Sequence, residues 1–354
     1  MTRLFIPGPV NVHPEVAAAQ TQPMLAHRSA EFETIFHRVE KALRDLFFTQ
    51  HRVFITASSG TGLQEASVRN FVSGKMLSCV NGAFGKRWFD VAESNGKEAH
   101  KLEVDWDHPI TAELVAEAID GKGYDILTIV HNETSTGLMN PVQEVAAAVK
   151  EVSPETLVCV DAVSSLSGAR LEMDAWGIDM ALTSAQKCLA LPPGLGFAAV
   201  SDRAMQWAEG VSERGWYFDF VRLEKHRVAN STPATPAVSL IYALDVQLQR
   251  IFQEGLENRF KRHSDMASRV QSWALDSGLS LFAPEGYRSQ TVTTVAHNGE
   301  VDFAAMNAYL IERGMRIANG YGDLKGKTFR IGHMGEVTLA DIEELLQNLD
   351  EFLG

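Results

Sequence analysis

Cysteine is scarce in this 354-residue chain. Its three cysteines, Cys79, Cys159 and Cys188, show no metal-type spacing and are too few for a disulfide framework. Basic residues are outnumbered: 32 Lys and Arg against 45 Asp and Glu leave a formal net charge of −13. No basic stripe is present to follow a phosphate backbone, which argues against a nucleic-acid binder. An acidic chain must also build any anion site locally, from Arg, Lys or helix N-termini. Long apolar runs are missing too. The start MTRLFIPGPV is broken by Pro7, Gly8 and Pro9 before a signal-length segment develops. The uncharged stretch 189–201 holds Pro192, Pro193, Gly194 and Gly196 and is too short to span a bilayer. The expectation is a cytoplasmic protein with no membrane partner.

The composition that remains is ordinary globular: 45% hydrophobic and 22% charged. At roughly 150 residues per domain, the length predicts about two domains. Apolar runs at 53–57, 76–80, 126–130, 157–160, 180–183 and 197–200 read as strands, with helix-period stretches such as 62–72, 112–119 and 142–149 between them. Near-continuous Val/Ile/Leu strands alternating with helices predict an α/β core whose parallel sheet is covered on both faces. From 239 to 276 the pattern is long and helical. Strands at 279–282, 291–296 and 328–331, with helices at 302–313 and 339–352, then predict a smaller α+β domain. We divide the chain into an N-terminal arm, 1–11, a large domain, 12–255, and a small C-terminal domain, 256–354.

Polar residues collect where the strands end. Strand VFITA runs into Ser58-Ser59-Gly60-Thr61-Gly62 and then a helix. Such a turn offers free N–H groups and a positive helix end, which suits a phosphate or simply caps the helix. No Gly-Lys-Ser/Thr follows, so it is not a nucleotide P-loop. Strand ILTIV ends in His131-Asn132-Glu133-Thr134-Ser135-Thr136-Gly137, LVCV in Asp161, and MALTS in Ala185-Gln186-Lys187. Open α/β sheets bind ligands outside the carboxyl ends of their strands, so these clusters inform one another. Asp161 follows an apolar strand and needs a cationic partner, unless it caps the next helix. Lys187 stands among apolar neighbours, which favours the neutral amine of Schiff-base chemistry, although a lone lysine is more often solvated. A phosphate cradle, a buried carboxylate and an amine nucleophile together match the needs of pyridoxal 5'-phosphate.

In the order and spacing of several short segments the chain resembles the class V, fold-type I aminotransferases of the alanine–glyoxylate and serine–pyruvate branch. These are Pro7-Gly8-Pro9, Ser59-Gly60-Thr61, Asn81-Gly82-Ala83-Phe84-Gly85, Glu133-Thr134-Ser135-Thr136-Gly137, Val160-Asp161, Ser184-Ala185-Gln186-Lys187, Pro192-Pro193-Gly194, Thr235-Pro236 and Phe329-Arg330-Ile331-Gly332. The resemblance implies a large domain with a mostly parallel seven-stranded sheet between helices, and a homodimer with shared active sites. It implies that Lys187 is catalytic and joins the cofactor, and that Asp161 pairs with the pyridine nitrogen. Phe84, where many members have Trp, would stack on the ring, and Thr134 would bond its hydroxyl. Ser59, Gly60, Thr61, Ser184 and Gln186 would hold the phosphate, with Thr61 in place of a His found in some members. Thr235 would reach the neighbouring subunit's phosphate, with Thr232 and Ser231 as alternatives, since a tyrosine common in that segment is missing. Arg330 would grip the substrate α-carboxylate, which its planar fork suits, with help from the Gly8 backbone; by itself it also reads as a surface salt bridge. His27-Arg28 reads as capping, or as a cation near the substrate side chain. No metal is expected.

The implied reaction is ping-pong transfer of an amino group from alanine or serine to glyoxylate or pyruvate. Aspartate or phosphoserine as donor would need one more cation in the side-chain pocket. A cofactor-dependent lyase such as a cysteine desulfurase would need a reactive cysteine on a late loop, and none follows Cys188. A non-catalytic subunit would have no need of Asp161, Lys187 and Arg330 together.

Overall fold

The computed structural model describes residues 2–297 and 299–354. A seven-stranded sheet runs in the order Arg52–Ala57, Leu195–Val200, Met180–Ser184, Leu157–Asp161, Ile126–Val130, Lys75–Val80, Glu98–Glu103. Every neighbouring pair is parallel except those made by Leu195–Val200, which is antiparallel to both flanking strands. The mostly parallel α/β sheet is therefore as expected.

The inner strands are largely apolar because both their faces are covered, and the period of two sorts their side chains between two cores. Val53, Ile55, Val158, Val160, Phe197 and Ala199 face one core, under helices Ala30–Phe47 and Val238–Glu254. Phe54, Leu157, Cys159, Ala198 and Val200 face the other, under helices Gly60–Phe71 and Ala83–Ser94. Each fully buried large side chain contributes about 1.5–3 kcal/mol. One strand of this sheet was not among those expected: Glu98–Glu103, sequence EAHKLE, is its exposed edge, where charges discourage further pairing.

The helical stretch 239–276 is two helices, Val238–Glu254 and Leu256–Asp276, separated at Gly255, whose φ of 83° no helix accepts. Beyond it a five-stranded sheet has the order Arg3–Phe5, Met315–Asn319, Thr328–Gly332, Val292–Ala296, Ser280–Leu281. The first strand of the chain thus joins the C-terminal sheet, parallel to Met315–Asn319. Pro7-Gly8-Pro9 follows it after Ile6 and is thereby carried to the carboxyl ends of the large sheet, where the Pro7 carbonyl accepts from Lys187 and the Val10 N–H donates to the Gln186 carbonyl.

Candidate active site

Asp161 and Lys187 leave adjacent parallel strands, Leu157–Asp161 and Met180–Ser184, at their carboxyl ends. A cavity of about 200 Å³ opens there. Nine of the expected residues line it: Ser59, Gly60, Thr61, Phe84, Thr134, Asp161, Ser184, Gln186 and Lys187. A larger cleft of about 830 Å³, beside Trp176 and Tyr287, holds none of them.

Asp161 sits at the floor. Its Oδ1 accepts from the Val163 N–H (2.9 Å) and its Oδ2 from Gln64 Nε2 (2.8 Å). Burial outweighs these bonds and pushes the carboxyl up to about 6. Lys187 Nζ donates to the Pro7 carbonyl, and burial lowers its amine to about 8, helped by the nearby Arg330 charge. Gly8, at φ 98°, lets the arm pass this close, since a Cβ there would lie 2.6 Å from Lys187 Cδ. Its own N–H donates to the Ile6 carbonyl at 2.7 Å.

On the opposite wall, helix Gly60–Phe71 begins at Ser59, whose side chain makes no capping bond, so the first N–H groups face the cavity uncapped by it. Ser184 Oγ, Gln64 Oε1 and Asn132 Oδ1 are buried with no partner among the described residues. Such orphaned atoms are costly unless a ligand meets them.

Helix Ala83–Ser94 supplies Phe84. The buried Glu133 carboxyl fixes the start of that helix, accepting from the Phe84 N–H (3.0 Å) and the Gly85 N–H (3.1 Å). Burial raises the Glu133 carboxyl against the pull of these donors. Arg87 is one turn on; its guanidinium carbon lies 4.7 Å from the Phe84 ring centroid, and it donates to Thr61 Oγ1 (3.4 Å) and Tyr321 Oη (3.0 Å).

Arg330, in strand Thr328–Gly332, comes from the small sheet. It donates to the carbonyls of Thr134 (3.2 Å) and Asn319 (3.0 Å) and pairs with no carboxylate among the described residues. Burial lowers its guanidinium to about 10. Thr134 Oγ1 shares a 2.5 Å hydrogen bond with Ser164 Oγ.

Three expected residues lie elsewhere. Thr235 lines a separate apolar cavity beside Ile55 and Tyr217. Thr232 Oγ1 donates to the Ala234 carbonyl, and Ser231 Oγ accepts from Arg28 Nη1 at 3.2 Å. Arg28 therefore belongs with segment 231–236, and Ser29 caps helix Ala30–Phe47. Gln64, Arg87, Asn132 and Glu133 were not assigned from sequence. Helical spacing was the available signal for two of them: Gln64 is four residues after Gly60, and Arg87 three after Phe84.

A buried amine and a buried carboxylate on neighbouring strand ends, faced by a guanidinium without an acid, define an α/β enzyme that handles amines of carboxylic acids. The chain belongs to the class-V aminotransferase family, whose model matches residues 14–344, and is a transaminase. It is 36% identical to the L-aspartate–glyoxylate aminotransferase of Paracoccus denitrificans, over 95% of this chain and 87% of that one. It is 34% identical to alanine–glyoxylate aminotransferase 1 of Saccharomyces cerevisiae, over 94% and 91%. The solved alanine–glyoxylate aminotransferase of Nostoc sp. matches with a TM-score of 0.94 at 31% identity, covering 100% of this chain and 96% of that one.

Proposed function

We propose a pyridoxal 5'-phosphate-dependent aminotransferase that moves an amino group from alanine or serine to glyoxylate or pyruvate in a ping-pong sequence. The observation that carries this is the placing, in one cavity at the ends of neighbouring parallel strands, of the buried Lys187 amine and the buried Asp161 carboxyl. The donor set fits the cofactor. Asp161 lacks the cation that a protonated pyridine nitrogen would supply, and the orphaned Ser184 Oγ and the open start of helix Gly60–Phe71 suit a phosphate. Ser59, Gly60, Thr61 and Gln186 complete that cradle, Phe84 offers its ring as a stacking face, and Thr134 its hydroxyl.

When bound, the cofactor supplies an electron sink for the substrate's α-carbon. The chain does the rest. Arg330 grips the α-carboxylate and orients the substrate; the Gly8 N–H, engaged by the Ile6 carbonyl, is not free for that carboxylate, and Gly8 lies instead against Lys187. Lys187, whose amine is lowered to about 8 and so exchanges a proton readily near working pH, would carry the proton from the α-carbon to the cofactor's carbon. Asp161 holds a proton on the ring nitrogen. Glu133 keeps Phe84 in place.

The test is a half-reaction by absorbance. Protein loaded with pyridoxal phosphate is mixed with alanine, serine, aspartate, glutamate or phosphoserine, without an acceptor. Alanine or serine converts the cofactor band to the pyridoxamine form, and no conversion by any donor refutes the assignment. Arg87 favours a second reading, an acidic donor such as aspartate or phosphoserine. It is a guanidinium that lines the cavity without a carboxylate partner among the described residues. If that reading holds, Arg87→Gln lowers kcat/KM for aspartate about tenfold or more and leaves alanine within about twofold. The lyase reading is weakened further, since burial pushes the Cys188 thiol up to about 12.

A homodimer completes the proposal. Thr235 lies away from this chain's cavity, and Trp216, Tyr217 and Val228 expose apolar surface near segment 231–236. The three free thiols accord with a cytoplasmic site of action.

A further inference from the structure

The reading just given needs Lys187 and Asp161 at a fixed separation. They stand at the ends of neighbouring strands, but the segments that continue from them, 162–169 and 185–191, contain no helix or strand. Ser167 (φ 74°) and Ala190 (φ 52°) are moreover held in the left-handed region, which their surroundings must enforce.

Arg259, on the first turn of helix Leu256–Asp276, lies across both segments. Its Nε donates to the Ser167 carbonyl (3.1 Å) and Oγ (2.8 Å), and its Nη2 to the Cys188 carbonyl (2.7 Å). Its Nη1 donates to Glu254 Oε2 at 2.7 Å, and the residue is 1% exposed. If packing alone were needed, an apolar side chain of similar volume would cost less to bury. What the planar fork adds is geometry, because it fixes two carbonyls from two loops in one plane.

The next turn of the same helix holds the substrate side. Arg262 donates to the carbonyls of Gly335 (3.1 Å) and Val337 (2.5 Å), and His263 Nε2 accepts from the Gly335 N–H (3.2 Å). Gly335 lies just beyond strand Thr328–Gly332, which carries Arg330. A Cβ there would come within 3.5 Å of the Lys187 carbonyl oxygen.

We propose that Arg259 is a positioning residue for amine transfer: it locks the lysine-bearing loop to the carboxylate-bearing loop and so sets where Lys187 stands between Asp161 and Arg330. The variant is Arg259→Lys, which keeps the charge and loses the fork. The control is Arg227→Gln, which breaks a half-buried ion pair with Glu40 and Glu224 beside Arg52, at the end of strand Arg52–Ala57 away from Ser59.

The first readout needs no activity. It is the pH profile of reductive methylation of Lys187, resolved by peptide mass spectrometry, in full-length protein stripped of cofactor. Arg259→Lys changes the Lys187 rate about threefold or more, while Arg227→Gln leaves it at the wild-type value. In protein loaded with pyridoxal phosphate, kcat then falls about ten- to a hundredfold while donor KM stays within about threefold. Equal thermal destabilisation of both variants, with wild-type Lys187 reactivity and kcat in each, overturns the proposal. If Arg259→Lys does not fold, Ser167→Ala removes one acceptor and is read the same way. A wild-type protein that transfers no amino group refutes the aminotransferase reading instead, and the Lys187 methylation profile still decides the role of Arg259.

Discussion

Around Arg259 a guanidinium at 1% exposure meets two carbonyls, a hydroxyl and the Glu254 carboxylate. Around Arg330 the same group, at 8% exposure, meets two carbonyls and no acid. Both belong to the C-terminal half of the chain and both approach the strand ends of the large sheet. The first region closes its electrostatics within the chain; the second leaves a positive charge short of its counter-ion. A buried charge answered on every side serves the fold or its alignment. One left unanswered is costly and makes sense only toward a ligand. Lys187, with a single carbonyl for its ammonium, belongs with Arg330.

The contrast orders the substitutions by size. Lys187→Ala removes the reacting amine and lowers the rate of amino transfer about 10⁴-fold, measured by single-turnover absorbance. Arg330→Gln lowers kcat/KM about 10²- to 10³-fold for neutral and acidic donors alike, mainly through KM, because every α-amino acid presents the same carboxylate. Its unfolding free energy in urea stays within about 1 kcal/mol of the parent's, since no internal charge is stranded and the Gln amide can still donate to one of the Thr134 and Asn319 carbonyls. Arg259→Gln does the opposite in the stability assay and costs about 3 kcal/mol, as Glu254 loses a buried partner and two loops lose their brace. If Arg330→Gln destabilises the protein as much as Arg259→Gln does, the distinction between closed and open charge fails.

The closed and open regions also differ in how visible they were in the sequence. Asp161 and Lys187 could be read because the first closes an apolar strand and the second comes three residues after another, so chain order alone places them at the binding edge. Ser59, Gly60 and Thr61 could be read for the same reason. Arg330 needed the resemblance to a family, since an arginine in an antiparallel strand is not distinctive. Arg259 gave no signal at all. It sits within LENRFKRHSD, a stretch that reads as a solvated helix face, and only the tertiary fold turns that face inward. Arg87 lay between two visible landmarks but acquires its meaning from Tyr321, which is 234 residues away along the chain. The edge strand Glu98–Glu103 was hidden because its polar side chains face water, the condition that keeps it an edge.

Asp161 is the anionic member of the open group and carries the smallest expected effect. Burial raises its carboxyl to about 6 from an ordinary 3.8. Between those values the folded protein holds a proton that the unfolded chain has released, so this group makes stability fall as pH rises from about 4 to about 6. At about 1.4 kcal/mol per unit of pKa, the loss is on the order of 2–3 kcal/mol and persists at pH 7. Asp161→Asn cannot ionise, yet it keeps an acceptor for the Val163 N–H. Stripped of cofactor, it should match the parent near pH 4 and exceed it in urea midpoint from pH 6 upward. Lys187 acts in a different window. Its amine is lowered to about 8 from 10.5, so its contribution rises with pH above about 8, and measurements kept below pH 7.5 isolate Asp161. Pyridoxal phosphate should reverse the order, because only the parent gains an ion pair with the ring nitrogen. Parallel pH profiles for the two cofactor-free proteins would show that the fold already answers the Asp161 charge, and Asp161 would then belong with Arg259.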